Sequence, residues 1–352
     1  MTVACMEDAR WSVRLLCIVV AATLLIAVTQ AAHAIKRVPP DKLTTVRVPK
    51  MSTPPNIDGV LDPKEWRESV AISGVANQKN NVLHPRPTTF FLAWDESHLY
   101  LGCRAWVMPG VKPRVGGRQI HQAATSDAGM ELHFKPMGKN VPERRTDSSY
   151  KFLINALGFS GDYSRVSVGQ LFKNWQPDFE IKARLTDLGS APKGGRWLEI
   201  EVAASADDFE LEGPNRAGDQ WRLMLGFNHL PMWMQARIPN NTSYFDPGGY
   251  CLATLHEDVP AAKVTMERLP GPADGQAAVS FSAHNPTQKP VDLQCLARFK
   301  DGAGFLLEET KTLTVPAGES AAYLVDKALP KKPEKGAIYY EVKHGDDVLV
   351  QY

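Results

Sequence analysis

Two carboxylates four residues apart, Asp127 and Glu131, are the residues whose type and spacing could do chemistry. A glycosidase places two such groups across the scissile bond, one as acid and one as base or nucleophile. On a regular strand the i, i+4 spacing puts both side chains on one face, about 13 Å apart. That exceeds the separation either glycosidase geometry uses, and no second residue marks a nucleophile. A Glu that hydrogen-bonds a sugar, or a structural carboxylate, fits the spacing better. Asp58, Asp62, Asp95 and Asp246 all sit among turn residues, where aspartate caps the chain with its own side chain.

The elements that must position these groups read as strands. Phe90-Phe91-Leu92-Ala93-Trp94, Leu99-Tyr100-Leu101-Gly102-Cys103, Met130-Glu131-Leu132-His133-Phe134, Tyr150-Lys151-Phe152-Leu153-Ile154 and Trp197-Leu198-Glu199-Ile200-Glu201-Val202 are short and rich in aromatic or branched residues. Several alternate apolar with polar positions. Asp95-Glu96-Ser97-His98, Gly213-Pro214-Asn215 and Pro247-Gly248-Gly249 punctuate them as turns. Sustained helical periodicity is absent beyond the N-terminus. The expected class is all-β, a jelly-roll-type sandwich followed by a second, smaller sandwich.

The N-terminus carries Arg10 and Arg14, then an apolar run from Leu15 to Val28, then Ala32-His33-Ala34. This is the layout of a cleaved secretory signal peptide covering residues 1–34, with an uncleaved single-span anchor as the alternative. The expected location is therefore exported: periplasmic, cell-surface or extracellular. No later run is long and apolar enough for a membrane span. A formal charge of +1 with both signs interspersed gives no basic face for nucleic acid. Cys103, Cys251 and Cys295 follow the signal segment, an odd number without CxxC spacing, so a disulfide framework is not expected. A single Cys103–Cys251 bridge and a pair of buried thiols both remain open.

One group of motifs carries a resemblance. Ile57-Asp58-Gly59-Val60-Leu61-Asp62-Pro63-Lys64-Glu65-Trp66 precedes the Phe90–Leu101 hairpin. Then come Asp127–Phe134, Phe152-Leu153-Ile154-Asn155-Ala156-Leu157-Gly158, Trp197–Val202, Gly218-Asp219-Gln220-Trp221 and Ser243-Tyr244-Phe245-Asp246-Pro247. In this order they resemble the family 9 carbohydrate-binding modules, DOMON-like β-sandwiches, from about Ile57 to Leu255. The resemblance implies a linker at 35–49 and a binding module at 50–258. Beyond it, evenly spaced short strands and Asn285-Pro286-Thr287 resemble an immunoglobulin-like domain at 262–352.

Sugar-binding members of that family stack a terminal sugar between two Trp rings and fix its hydroxyls with polar side chains. The resemblance carries the roles over to Tyr244 as a stacking ring, with Glu131, Asn241 and Arg237 as polar contacts. Where the family has its other Trp, this chain has His121-Gln122-Ala123-Ala124-Thr125-Ser126, without an aromatic. Trp233 is a candidate replacement wall. Some relatives hold structural calcium, which the turn aspartates could ligate. Sandwiches of similar architecture hold haem between Met and His, for which Met130, His133, His229, Met232 and Met234 are the residues available. The expected function is non-catalytic binding of a poly- or oligosaccharide. The alternatives are a cell-surface structural or assembly protein with a decayed site, and a glycoside hydrolase or an accessory piece of a glycan-degrading system.

Overall fold

In the computed structural model the chain is described over residues 43–352, except 74–75, 78–82, 85, 168–169, 173–174, 187–193, 232–233, 239–246, 269–274, 303, 332 and 334–335. The N-terminal segment read as a signal peptide lies outside the described residues. So do Trp233, Asn241, Tyr244 and Asp246.

The described strands run in chain order β1 (Thr45–Pro49), β2 (Val70–Ser73), β3 (Ala76–Asn77), β4 (Thr88–Trp94), β5 (His98–Val107), β6 (Gly129–Pro136) and β7 (Ser149–Asn155). Next are β8 (Ser160–Ser167), β9 (Gln170–Phe172), β10 (Glu180–Thr186), β11 (Arg196–Ser205), β12 (Gln220–His229), β13 (Met234–Ile238) and β14 (Cys251–His256). The last seven are β15 (Ala261–Arg268), β16 (Gln276–His284), β17 (Val291–Asp301), β18 (Gly304–Val315), β19 (Ser320–Ala328), β20 (Gly336–His344) and β21 (Asp347–Gln351). Helix is limited to single 3-10 turns among the described residues, such as Glu65–Glu68. No helix among them is long and apolar enough to cross a membrane.

The strands form two sheets, so the fold is all-β and sandwich-type. One sheet has 13 strands, in the order β18-β17-β20-β21-β1-β14-β12-β6-β7-β8-β9, with β13 on β12 and β3 on β13. The other has eight, in the order β10-β11-β5-β4-β2-β15-β16-β19. Each sheet holds strands from both before and after residues 257–260. β1 lies between β14, parallel to it, and β21, antiparallel to it, while β15 runs parallel to β2 at Lys263 and Ala71.

Strand alternation decides which side chains enter the core. In β17 the burial pattern alternates cleanly from Val291, with Leu293, Cys295, Ala297 and Phe299 inward. Inward residues of both sheets make one cluster that includes Val48, Leu92, Leu101, Leu132, Phe152, Ile200 and Leu225. The aromatics gather here. Phe134 stacks on Phe152 at 5.4 Å, and Phe209 meets Trp221 edge-on at 5.0 Å. Trp175 lies 4.8 Å from Tyr150. These rings fill the sandwich, with little surface left for stacking a ligand.

The Ile57–Trp66 motif lies on the other side of the eight-stranded sheet. Ile57, Leu61 and Trp66 pack on Ala93, Tyr100 and Ala203 as a second small cluster. Gly102 permits this approach, because a Cβ there would come within 2.5 Å of Leu61 Cδ2. The turn between β4 and β5 is held by Asp95, whose Oδ1 accepts from Ser97 and His98 backbone N–H at 2.8 and 2.7 Å. In the C-terminal part Asn285 is fully buried. Its amide donates to Lys289 and Val315 carbonyls, and its Oδ1 accepts from Thr287 N–H.

Candidate functional site

β6 is buried on both faces except at Lys135. Met130, Leu132 and Phe134 point into the core, so Glu131, His133 and Lys135 must point outward by strand parity. Pairing extends that outward face. Glu131, His133 and Lys135 lie opposite Gly226, Met224 and Arg222 of β12. Gly226 and Asn228 lie opposite Arg237 and Gln235 of β13, and His133 lies opposite Lys151 of β7. A row of polar side chains thus crosses four neighbouring strands on the side away from the core.

Glu131 is the centre of this row and is only 3 % exposed. Its Oε1 accepts from His133 Nε2 at 3.1 Å and its Oε2 from Gln235 Nε2 at 2.8 Å. Lys151 Nζ stands 3.8 Å from Oε1. Gln235 also donates to Asn228 Oδ1 at 2.9 Å. The Tyr250 hydroxyl is 3.4 Å from His133 Nδ1. Arg237 is buried beside them, with Nη1 against Met224 Sδ at 3.9 Å.

Burial alone would raise the Glu131 carboxyl, but the hydrogen bonds from His133 and Gln235 and the Lys151 charge outweigh it and hold the group below the usual carboxylate range. Burial pushes His133 down, reinforced by Lys151 and Arg237, against the pull of Glu131. The consistent state is an ionised Glu131 beside a neutral His133. The Nε2–H tautomer then donates to Glu131, and Nδ1 accepts from Tyr250. The cluster is a fixed negative acceptor flanked by amide and ammonium donors.

Asp127 has a different task. Its carboxylate accepts from Gly116 N–H at 2.6 Å, Gly117 N–H at 3.3 Å, Ala124 N–H at 3.4 Å and Asn155 Nδ2 at 3.3 Å. It ties the segment before β6 to the end of β7. Asp127 and Glu131 therefore do not share a cleft as an acid/base pair.

The turn aspartates cap their own turns. Asp58 Oδ1 accepts from Val60 N–H at 2.9 Å and Asp62 Oδ1 from Lys64 N–H at 2.7 Å. Among the described residues no three His, Cys, Asp or Glu gather as a metal site. Nor do the described haem candidates, Met130, His133 and His229, converge. Met130 faces the core and His133 the outer face, while His229 stacks on His84 inside, with ring centroids 4.6 Å apart. Met232 lies outside the described residues, as does the side chain of Met234. Cys103 and Cys251 are buried free thiols on strands of different sheets.

Of the five residues expected to bind a ligand, Glu131 and Arg237 share one face and the other three lie outside the described residues. Gln235, His133, Lys151 and Asn228 were not expected to join them as ligand contacts. Parity would have found two: His133 is i+2 from Glu131, and Gln235 is i−2 from Arg237. Lys151 and Asn228 required the strand pairing.

No known family profile matches the sequence, and no curated protein matches it. Among solved structures, a family 9 carbohydrate-binding module from Caldicellulosiruptor kristjanssonii, in complex with cellotriose, is 14% identical. That match covers 61% of this chain and 95% of that one, with a TM-score of 0.39. A Bacteroides uniformis protein named for inferred carbohydrate binding is 12% identical over 60% of this chain and 98% of its own, with a TM-score of 0.44. A β-glucuronidase from Bacteroides uniformis is 12% identical over 73% of this chain and 26% of its own, with a TM-score of 0.22. The likeness is distant and partial, to a carbohydrate-binding-module-like fold.

Proposed function

We propose that this chain is an exported, non-catalytic saccharide-binding protein that takes its ligand on the outer face of the 13-stranded sheet, around Glu131. The observation that carries the reading is a buried, ionised Glu131 placed outside the core and surrounded by Gln235, His133 and Lys151. Buried polar groups are costly unless fully paired, and an outward-facing cluster of this kind adds little to the sandwich itself. Sugar hydroxyls donate and accept at once, so a carboxylate flanked by amide and ammonium donors matches them. Arg237 and Asn241 are further polar contacts in this proposal. Tyr244 supplies a stacking ring and Trp233 a second wall. Contact of this size gives millimolar to micromolar affinity; micromolar binding is about 8 kcal/mol.

A second reading, a cell-surface structural or assembly protein that keeps the fold without the sugar site, is favoured by one observation. The large aromatic cluster of the described residues is in the core and leaves no exposed platform there. The hydrolase alternative gains nothing from Asp127, whose oxygens are held by backbone amides and Asn155.

The test is a glycan-binding screen of the exported chain, with Glu131→Gln and Tyr244→Ala as variants and unfolding curves alongside. Binding lost in both variants, with each still cooperatively folded, supports the saccharide reading. A folded wild-type protein that binds no glycan overturns it and leaves the surface-scaffold reading.

A further inference from the structure

Four residues along β6 from Glu131, the same outward face changes character. Lys135 lies directly opposite Arg222 on β12, two like charges in register on adjacent strands. Such a cross-strand pair, with Cβ atoms about 5 Å apart, is destabilising unless a counter-charge lies between them. Neither side chain is ion-paired among the described residues. Arg222 Nη1 donates to the Tyr250 carbonyl at 3.3 Å, which leaves its charge uncompensated. Both are half-buried, and burial pushes the Arg222 guanidinium down.

Among the described residues the neighbours do not supply an anion. The next residue in this row is Leu252 of β14, half-buried, followed by Thr45 of β1. Over the outward positions of β1, β14, β12, β6 and β7 the cations are Arg47, Arg222, Lys135 and Lys151, and the carboxylate is Glu131. Arg47 is ion-paired to Asp347, and Lys151 stands beside Glu131. Among the described residues of this region the Lys135–Arg222 pair is what remains uncompensated, with an apolar side chain beside it.

We propose that this pair is a subsite for the carboxylate of a uronic-acid residue in a glycan chain whose neighbouring sugar sits at Glu131. The inference rests on the saccharide reading above and specifies its substrate class. A guanidinium presents a planar fork that a carboxylate meets with two parallel hydrogen bonds, and the ammonium opposite adds a third contact. Leu252 offers the apolar surface on which the CH face of the ring lies. Glu131 and Lys135 are about 13 Å apart along the strand, a span covered by an oligosaccharide and not by a monosaccharide.

The experiment is calorimetric titration of the full chain with four probes: uronate oligosaccharides, neutral glucan oligosaccharides of equal length, a sulfated neutral-backbone glycan, and polyglutamate. Wild type is expected to favour the uronate oligomer over the neutral one and over polyglutamate, less so as salt is raised. Lys135→Gln with Arg222→Gln should lower uronate affinity about tenfold or more and leave neutral binding unchanged. Lys135→Gln alone keeps the Arg222 bond to Tyr250 and should give part of that loss, which guards against misfolding of the double variant. Uronate affinity unchanged in both variants overturns the inference. So does binding polyglutamate or the sulfated glycan as tightly as the uronate oligomer. Neutral binding that Glu131→Gln abolishes, with no uronate preference, sinks the subsite and leaves the saccharide reading standing. No glycan bound by folded protein removes both.

Discussion

The indole N–H of Trp66 donates to Glu201 Oε1 at 2.7 Å, while Oε2 of the same carboxylate accepts the backbone N–H of Gly59 at 2.7 Å and of Asp58 at 2.9 Å. One buried side chain on β11 therefore holds both ends of the Ile57–Trp66 motif against the eight-stranded sheet. Gly59, at φ +88°, is placed where a Cβ would come within 3.1 Å of Arg184 Cβ.

Removing the acceptor leaves three donors unpaired. Each orphaned buried group costs about 1–3 kcal/mol, so Glu201→Ala should lower the unfolding free energy by about 3–5 kcal/mol. Trp66→Phe keeps most of the ring and loses one bond, and should cost about 1–2 kcal/mol. Urea unfolding of the two variants checks the order. Equal losses would mean that the packing of the Trp66 ring, and not the shared carboxylate, anchors the motif.

Much of the fold is legible in the sequence because it follows from period two. Alternation over Val291–Leu296 and the turn chemistry of Asp95 both predict what is found. Trp66 is legible as the end of the Ile57–Trp66 motif, but its partner Glu201 is not, since the two are 135 residues apart and only the fold brings them together. The same limit applies at the candidate site. Glu131 stands out in its strand, whereas Lys151 and Asn228 reach it through pairing with β7 and β12. The insertion of β1 between β14 and β21 carries no local signal either, because parallel neighbours need no turn between them.

Acid should destabilise the protein through its buried imidazoles. His84 and His229 are stacked in the interior. Burial pushes His84 down to about 4 and His229 well below its usual 6.5. Arg86 faces the pair and adds to the depression, while Thr88 Oγ1 is 3.0 Å from His229 Nε2. The unfolded chain binds more protons than the folded one below pH 6.5, so this stability is complete above that value and lost as pH falls toward about 4. His133 acts in the same sense. Glu201 acts in the opposite one. Burial raises it from 4.5 to about 7 despite its donors, so its contribution is present below 4.5 and lost as pH rises through 7. Stability measured from pH 7.5 to 5 should therefore fall, and fall more steeply in Glu201→Gln. A flat wild-type profile, or a shallower one in that variant, would contradict these assignments.

The thiols should be inert in the native state. Cys103, Cys251 and Cys295 are buried, and burial lifts Cys251 and Cys295 to about 12 and Cys103 well above its usual value. The thiolate is the reactive form. Alkylation followed by peptide mapping should leave all three unlabelled until denaturant is added, and then label all three. A Cys103–Cys251 disulfide would show itself as two sites that stay unlabelled in denaturant until a reductant is present.

The two carboxylates that opened the question of chemistry should separate cleanly by mutation. Asp127 accepts from three backbone N–H groups and the Asn155 amide, so Asp127→Asn turns an NH₂ toward donors and loosens the segment before β6. The expected loss is about 2–3 kcal/mol of stability. Glu131→Gln keeps one oxygen for His133 or Gln235 and gives up the charge that Lys151 faces. It should cost about 1 kcal/mol of stability and lower saccharide affinity about tenfold or more, near 1.4 kcal/mol. A catalytic pair would behave otherwise, because either substitution would abolish turnover of a chromogenic glycoside while leaving binding in place. The larger loss of stability in Asp127→Asn, with loss of binding confined to Glu131→Gln, would assign one residue to the fold and the other to the ligand. Turnover by wild type that both variants abolish would return the pair to catalysis.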